Sequence, residues 1–118
     1  MPSTSASPTV ASHFEKSAPS VRATYRALLK ASRELGTMHE EPKKTSIHLV
    51  RTSAFAGIAT RKDALILTLK ADRPIQSSRV GRAAQTSASR WHLEIRLRAP
   101  DEVDAELCDW LAKAYALA

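Results

Sequence analysis

The stretch from Lys43 to Ala71, KKTSIHLVRTSAFAGIATRKDALILTLKA, constrains the fold of this chain more than any other. Its apolar residues recur at every second position rather than at helical spacing, the pattern of strands with one buried face. Residues 64–70 are the clearest case, with Leu65, Leu67 and Leu69 on one side and Thr68 and Lys70 on the other. Residues 46–51 oppose Ile47 and Leu49 to His48 and Val50. Residues 54–60 are small, and strict parity gives Phe55, Gly57 and Ala59 a common side. Arg61-Lys62-Asp63 is polar and short enough for a hairpin turn. Three consecutive strands with a shared apolar face need a cover, and the flanking segments offer two helices.

The first helix starts at Pro19, where a missing N–H costs nothing. Val21, Tyr25, Leu28, Leu29, Ser32 and Leu35 recur at three- and four-residue steps on one face, with Arg22, Arg26, Lys30 and Arg33 opposite. Gly36 is the expected stop. The second helix is expected from Pro100, with Val103, Leu107, Trp110, Leu111 and Ala114 on one face. Ala99 then stands where a capping Ser, Thr or Asp is wanted, an omission worth about 1 kcal/mol. Acidic residues Asp101, Glu102 and Asp104 complement the dipole at that end.

Between the helices, residues 37–41 fit a short edge strand closed by Pro42, and residues 91–98 alternate cleanly. There Leu93, Ile95 and Leu97 face inward, and His92, Glu94, Arg96 and Arg98 outward. Residues 72–89, rich in Ser and Thr with Pro74 and Gly81, read as a loop with one short strand near 82–86. The fold expected is α+β: an antiparallel sheet of four to five strands with N- and C-terminal helices packed on one face. Its core is expected around Leu67, Leu69, Leu93, Ile95, Leu107 and Leu111.

A length of 118 residues suits one domain, assigned here to residues 12–118. Residues 1–11 are Ser-, Thr-, Pro- and Ala-rich and are expected to be disordered, since they bury too little to offset ordering. They also lack the basic start and apolar stretch of a secretory signal. Ser12 is expected to cap a short turn with Glu15 as partner, and Phe14 to join the core. Aromatic residues are 5% of the chain, so the core must be aliphatic. A single cysteine, Cys108, forms no internal disulfide and suits a reducing cytoplasm. No run reaches the roughly 18 apolar residues of a membrane span.

The chain resembles a family of small bacterial domains that carry only a domain-of-unknown-function label. The resemblance rests on His13-Phe14, Val21-Arg22 with Tyr25 and Leu28, and the run from Pro42 to His48. It continues through Phe55-Ala56-Gly57, Arg61-Lys62, Ser78-Arg79, Asp104, Trp110-Leu111 and Ala114-Tyr115, covering nearly all of residues 13–117. Members are similar to stand-alone proteins or C-terminal modules, some described as predicted transport proteins. The resemblance implies a fold but no settled activity and no catalytic residues.

Catalytic signatures are missing from the sequence. Three separated glycines form neither a dinucleotide fingerprint nor a phosphate loop, and no GxSxG elbow occurs. No two of His13, His39, His48 and His92 have the helical spacing of a zinc site, and Cys108 has no CxxC partner. The expectation is therefore no enzyme, no metal and no cofactor.

Charge is the remaining signal. Residues 43–98 hold twelve Lys or Arg against three Asp or Glu, a net +9, while residues 99–118 carry a net −4. Lys44, His48, Arg51, Arg79, Arg90, His92 and Arg96 are the candidate anion-binding residues, arginine being suited to paired contacts with phosphate or carboxylate. Few aromatics argue against single-strand binding by stacking. One reading is a cytoplasmic binding module whose basic sheet face meets an anionic protein segment or a nucleic acid. Another is a small-molecule or catalytic pocket around His48, Arg79 and His92. A third is a structural domain that dimerises through its sheet, so the chain is expected to be either a monomer or a homodimer. Against an anionic partner stands partial neutralisation of the basic region by the acidic last helix within the same molecule.

Overall fold

The computed structural model describes residues 8–118. The expected tail of residues 1–11 lies mostly outside them. Of its described part, Val10 packs against the core, and Thr9 and Ser12 exchange backbone-to-hydroxyl bonds of 3.1 Å in each direction. Thr9, rather than Glu15, is thus the partner of Ser12. A 3₁₀ turn follows at Ala11–Phe14, with Phe14 buried at its end.

Helix α1 spans Pro19–Leu35 and stops at Gly36, whose φ of 147° lies in the region that side chains avoid. A Cβ there would also sit 2.5 Å from the Tyr115 hydroxyl, so both backbone and space require glycine. Six strands follow: β1 at His39–Pro42, β2 at Ile47–Val50, β3 at Ala54–Thr60, β4 at Leu65–Ala71, β5 at Val80–Ser87 and β6 at Arg90–Leu97. A 3₁₀ turn at Pro100–Glu102 leads into helix α2 at Ala105–Ala116. The sheet is antiparallel throughout, in the order β1-β2-β3-β4-β6-β5.

The architecture is α+β as expected, but the sheet has six strands rather than four or five. The difference is β5, an eight-residue edge strand in the region read as mostly loop. Its side chains do not announce it, because none of them is buried. It is held by its ladder to β6, from Val80 opposite Ile95 to Ser87 opposite Arg90.

One face of the sheet is covered by both helices. Leu65, Leu67 and Leu69 of β4, Leu93, Ile95 and Leu97 of β6, and Ile47, Leu49 and Ile58 all join one cluster with Val21, Tyr25, Leu28, Leu107 and Leu111. All six residues expected at its centre are buried. Phe55 departs from strict parity. The ladder shifts between Leu49 and Val50, which face Ala56 and Ala54 and leave Phe55 unpaired. This bulge turns Phe55 into the core beside Ala56, where its ring meets Tyr115 of α2 edge-on at 5.3 Å.

The last helix also begins later than its apolar pattern suggests. The 3₁₀ turn intervenes, and α2 is capped by Asp104, whose carboxylate accepts the Leu107 N–H at 3.0 Å. The Glu102 carboxylate meanwhile accepts the amides of Arg98 and Ala99. Ala99 therefore leaves no uncapped helix and costs no missing cap. Among the described residues, no helix is long and apolar enough to cross a membrane.

Candidate functional site

On the uncovered face the strand registers fix which side chains meet. One row runs Glu41, His48, Gly57, Thr68, Glu94 and Arg82 across the six strands. Beside it Lys70 of β4 stands opposite His92 of β6, and Ile66 opposite Arg96. Gly57 has no side chain to fill the middle of this surface. A depression of about 270 Å³ results, lined by His48, Gly57, Thr68, Lys70 and His92, with Ser46 at its edge. Lys70 Nζ reaches Ser53 Oγ at 3.0 Å across the same region.

Chemically, this hollow offers hydroxyl, imidazole and ammonium donors around a short apolar floor. It can hold a carboxylate or phosphate oxygen by hydrogen bonds. Among the described residues, no three His, Cys, Asp or Glu side chains converge to hold a metal ion.

Of the seven candidate residues, only His48 and His92 line this depression. Arg96 shares the face but lies by Asp63, with Nη2 3.6 Å from its carboxylate. Arg90 sits at the β5–β6 hairpin and donates to the Ser89 carbonyl at 2.9 Å. Lys44 is exposed in the β1–β2 turn.

The other two arginines belong to the helix side. Arg51 donates to the Tyr115 carbonyl at 3.1 Å, near the end of α2, and its guanidinium stacks 4.4 Å from the Tyr115 ring centroid. Arg79 leaves the β4–β5 loop for the start of α2. Its Nη1 lies 2.9 Å from Asp104 and 3.1 Å from Glu106, and its Nη2 donates to the Glu102 carbonyl at 2.7 Å. The hydrogen bond to Asp104 holds the guanidinium pKa above its ordinary value. Asp104 is pulled below the usual carboxylate range, first by the Leu107 N–H and then by Arg79. The pocket expected around His48, Arg79 and His92 is therefore not assembled, because Arg79 is held at the start of α2. Carboxylates of the last helix and its cap stand as the charge partners of this arginine.

Sequence reasoning left Lys70, Thr68 and Gly57 out of the candidate residues. Strand parity already turned Thr68 and Lys70 outward. What was missing was the cross-strand register that pairs Lys70 with His92 and aligns His48, Gly57 and Thr68.

Fold and site together define a small α+β module: a six-stranded antiparallel sheet, helices on one face and a polar depression on the other. The chain belongs to the family described as a domain of unknown function (DUF5655), whose profile matches residues 10–118. No curated protein and no solved structure matches it. The residues that carry the family resemblance include much of the scaffold just described. Arg79, Asp104 and Trp110 meet in the loop-to-helix contact, and His13 Nε2 lies 2.8 Å from the Lys43 carbonyl.

Proposed function

We propose that the chain is a non-enzymatic cytoplasmic binding module whose uncovered sheet face captures a single anionic group in the depression over Gly57. The observation that carries this reading is the convergence of His48, Thr68, Lys70 and His92 around a position with no side chain. Lys70 supplies the permanent charge and the others supply directional donors. A carboxylate side chain of a partner protein fits this arrangement better than a nucleic acid does. Glu41 and Glu94 stand in the same cross-strand row as His48. Nucleic acid affinity grows with the number of phosphates neutralised, and interspersed carboxylates oppose it.

The test is titration of the protein with an acidic peptide, inorganic phosphate and short duplex DNA, at low and moderate salt. Binding of the peptide or phosphate, weakened at least about tenfold in Lys70→Ala, is expected. Tighter binding of DNA than of the acidic peptide would turn the reading toward nucleic acid. No binding of any of the three at low salt would leave the face as solvated surface.

A further inference from the structure

A second hollow, of about 390 Å³, lies on the helix-covered side, where the ends of β4 and α2 come together. Leu69 and Leu93 line it from the sheet, Trp110 from α2 and Ile75 from the β4–β5 loop. Its volume falls within the span of about 300–1,000 Å³ typical of small-molecule sites, and its inner lining is apolar. The outer lining is charged: Arg73 and Lys113 stand there with Asp72 the one carboxylate among them, while the Lys70 side chain is turned to the uncovered face.

The loop wall is held in place. Arg79, at the far end of the same loop, crosses to Glu102, Asp104 and Glu106, and its guanidinium lies 5.7 Å from the Trp110 ring centroid. Trp110 is thereby pinned by Arg79 while it lines the hollow. A cavity shaped before its ligand arrives spares the ligand the ordering cost.

We infer that this hollow binds a small organic anion with an apolar body and one acidic head. The body would displace water from Leu69, Leu93, Ile75 and Trp110, which is where binding free energy is available. The head would meet Arg73 and Lys113. Their present partners are solvent-exposed carboxylates, Asp72 and Asp109, each at 3.2 Å. Such exposed pairs hold weakly and exchange readily for a better acceptor. The carbonyls at the end of α2 do not fully offset these two cations, since the Ala114 and Tyr115 oxygens already accept from the Leu117 and Ala118 amides. A cationic amphiphile would face two like charges at the rim, and an inorganic ion would leave the apolar lining unused. The inference is independent of the depression over Gly57.

The test uses the full chain and anilinonaphthalene sulfonate, an apolar dye with one acidic head, followed by fluorescence. The protein is expected to bind the dye while unfolding cooperatively, with decanoate displacing it and decylamine failing to. Ile75→Asp should weaken dye binding at least about tenfold, and Arg73→Glu with Lys113→Glu should do the same for decanoate. His48→Ala with His92→Ala should change neither. The inference is overturned if the parent protein binds no dye or if decylamine competes as well as decanoate. It is equally overturned if the loop and rim variants bind like the parent, or if the histidine variant alone loses the signal. Should Ile75→Asp fail to fold, the rim variant decides, because both changed side chains are largely exposed.

Discussion

Arg79 and Asp104, twenty-five residues apart in sequence, are joined by two hydrogen bonds of 2.9 and 3.2 Å from one guanidinium nitrogen. The same nitrogen reaches Glu106, and its neighbour takes the Glu102 carbonyl. A planar fork serves these acceptors at once, which a lysine ammonium on a flexible stem does not. Arg79→Lys is therefore expected to lower the thermal midpoint by roughly a few degrees. Arg79→Glu should lower it further, since it sets a third carboxylate beside Asp104 and Glu106. A midpoint unchanged in both variants would show that the contact contributes nothing to stability.

The acid side of the stability curve should report Asp104. Its folded pKa is depressed below the ordinary 3.8. Its contribution is thus fully present above that value and is lost as pH falls through the folded pKa. Asp104→Asn keeps a capping oxygen for the Leu107 N–H but removes the titrating charge. We expect the variant to be less stable than the parent at neutral pH and the gap to shrink in acid. Midpoints measured across the acid range decide it, and a constant gap would contradict the assignment.

The alkaline side should report Tyr25. Its hydroxyl, on a residue 2% exposed, donates to Glu40 Oε2 at 2.6 Å and ties α1 to the edge strand β1. Burial first, and then the Glu40 carboxylate, push its pKa well above the ordinary 10.0. The stabilisation is complete below that value and declines as pH rises above it, because the unfolded phenol ionises first. Tyr25→Phe should cost about 1.5–3 kcal/mol at neutral pH, the scale of a hydrogen bond to a charged group. The difference from the parent should narrow above pH 10.0. Denaturant titrations at neutral and alkaline pH measure both.

What could be read from the sequence follows from where side chains carry the information. Strand β4 is buried on one face over its whole length and β6 from Leu93 onward, so Leu65, Leu67, Leu69, Leu93, Ile95 and Leu97 reveal them by alternation. Strand β5 lies at the edge with only half-buried Val80 and Ala84 among exposed neighbours, so backbone pairing alone defines it. Phe55 misled because a single bulge reverses parity, and no residue type marks that bulge. The same limit governs the candidate site. His48, His92 and Arg96 are on strands, where parity fixes the face. Arg51 and Arg79 are outside the strands, where no periodicity applies, and acidic or aromatic groups of the last helix drew both away. Asp104 was legible as a helix-dipole residue but not as the cap, because a 3₁₀ turn does not interrupt the apolar spacing.

The depression on the uncovered face exists because Gly57 is a glycine, and that can be tested without disturbing the core. Its backbone is not in the positive-φ region, and a Cβ there would meet His48 Cδ2 and Thr68 Cβ at 3.9 Å, an ordinary contact. Gly57→Ala should therefore fold and gain about 0.4–1 kcal/mol, since it restricts the unfolded chain. It should weaken capture of an acidic peptide or phosphate only modestly. Gly57→Leu places a branched side chain among His48, Thr68, Lys70 and His92 on an uncovered face, where it has solvent to expand into. It should keep a cooperative unfolding transition and abolish anion binding. Calorimetric titration of parent, alanine and leucine variants against one acidic peptide gives the ordering. If the leucine variant binds as tightly as the parent, the anion does not sit over Gly57 and the proposed site is wrong.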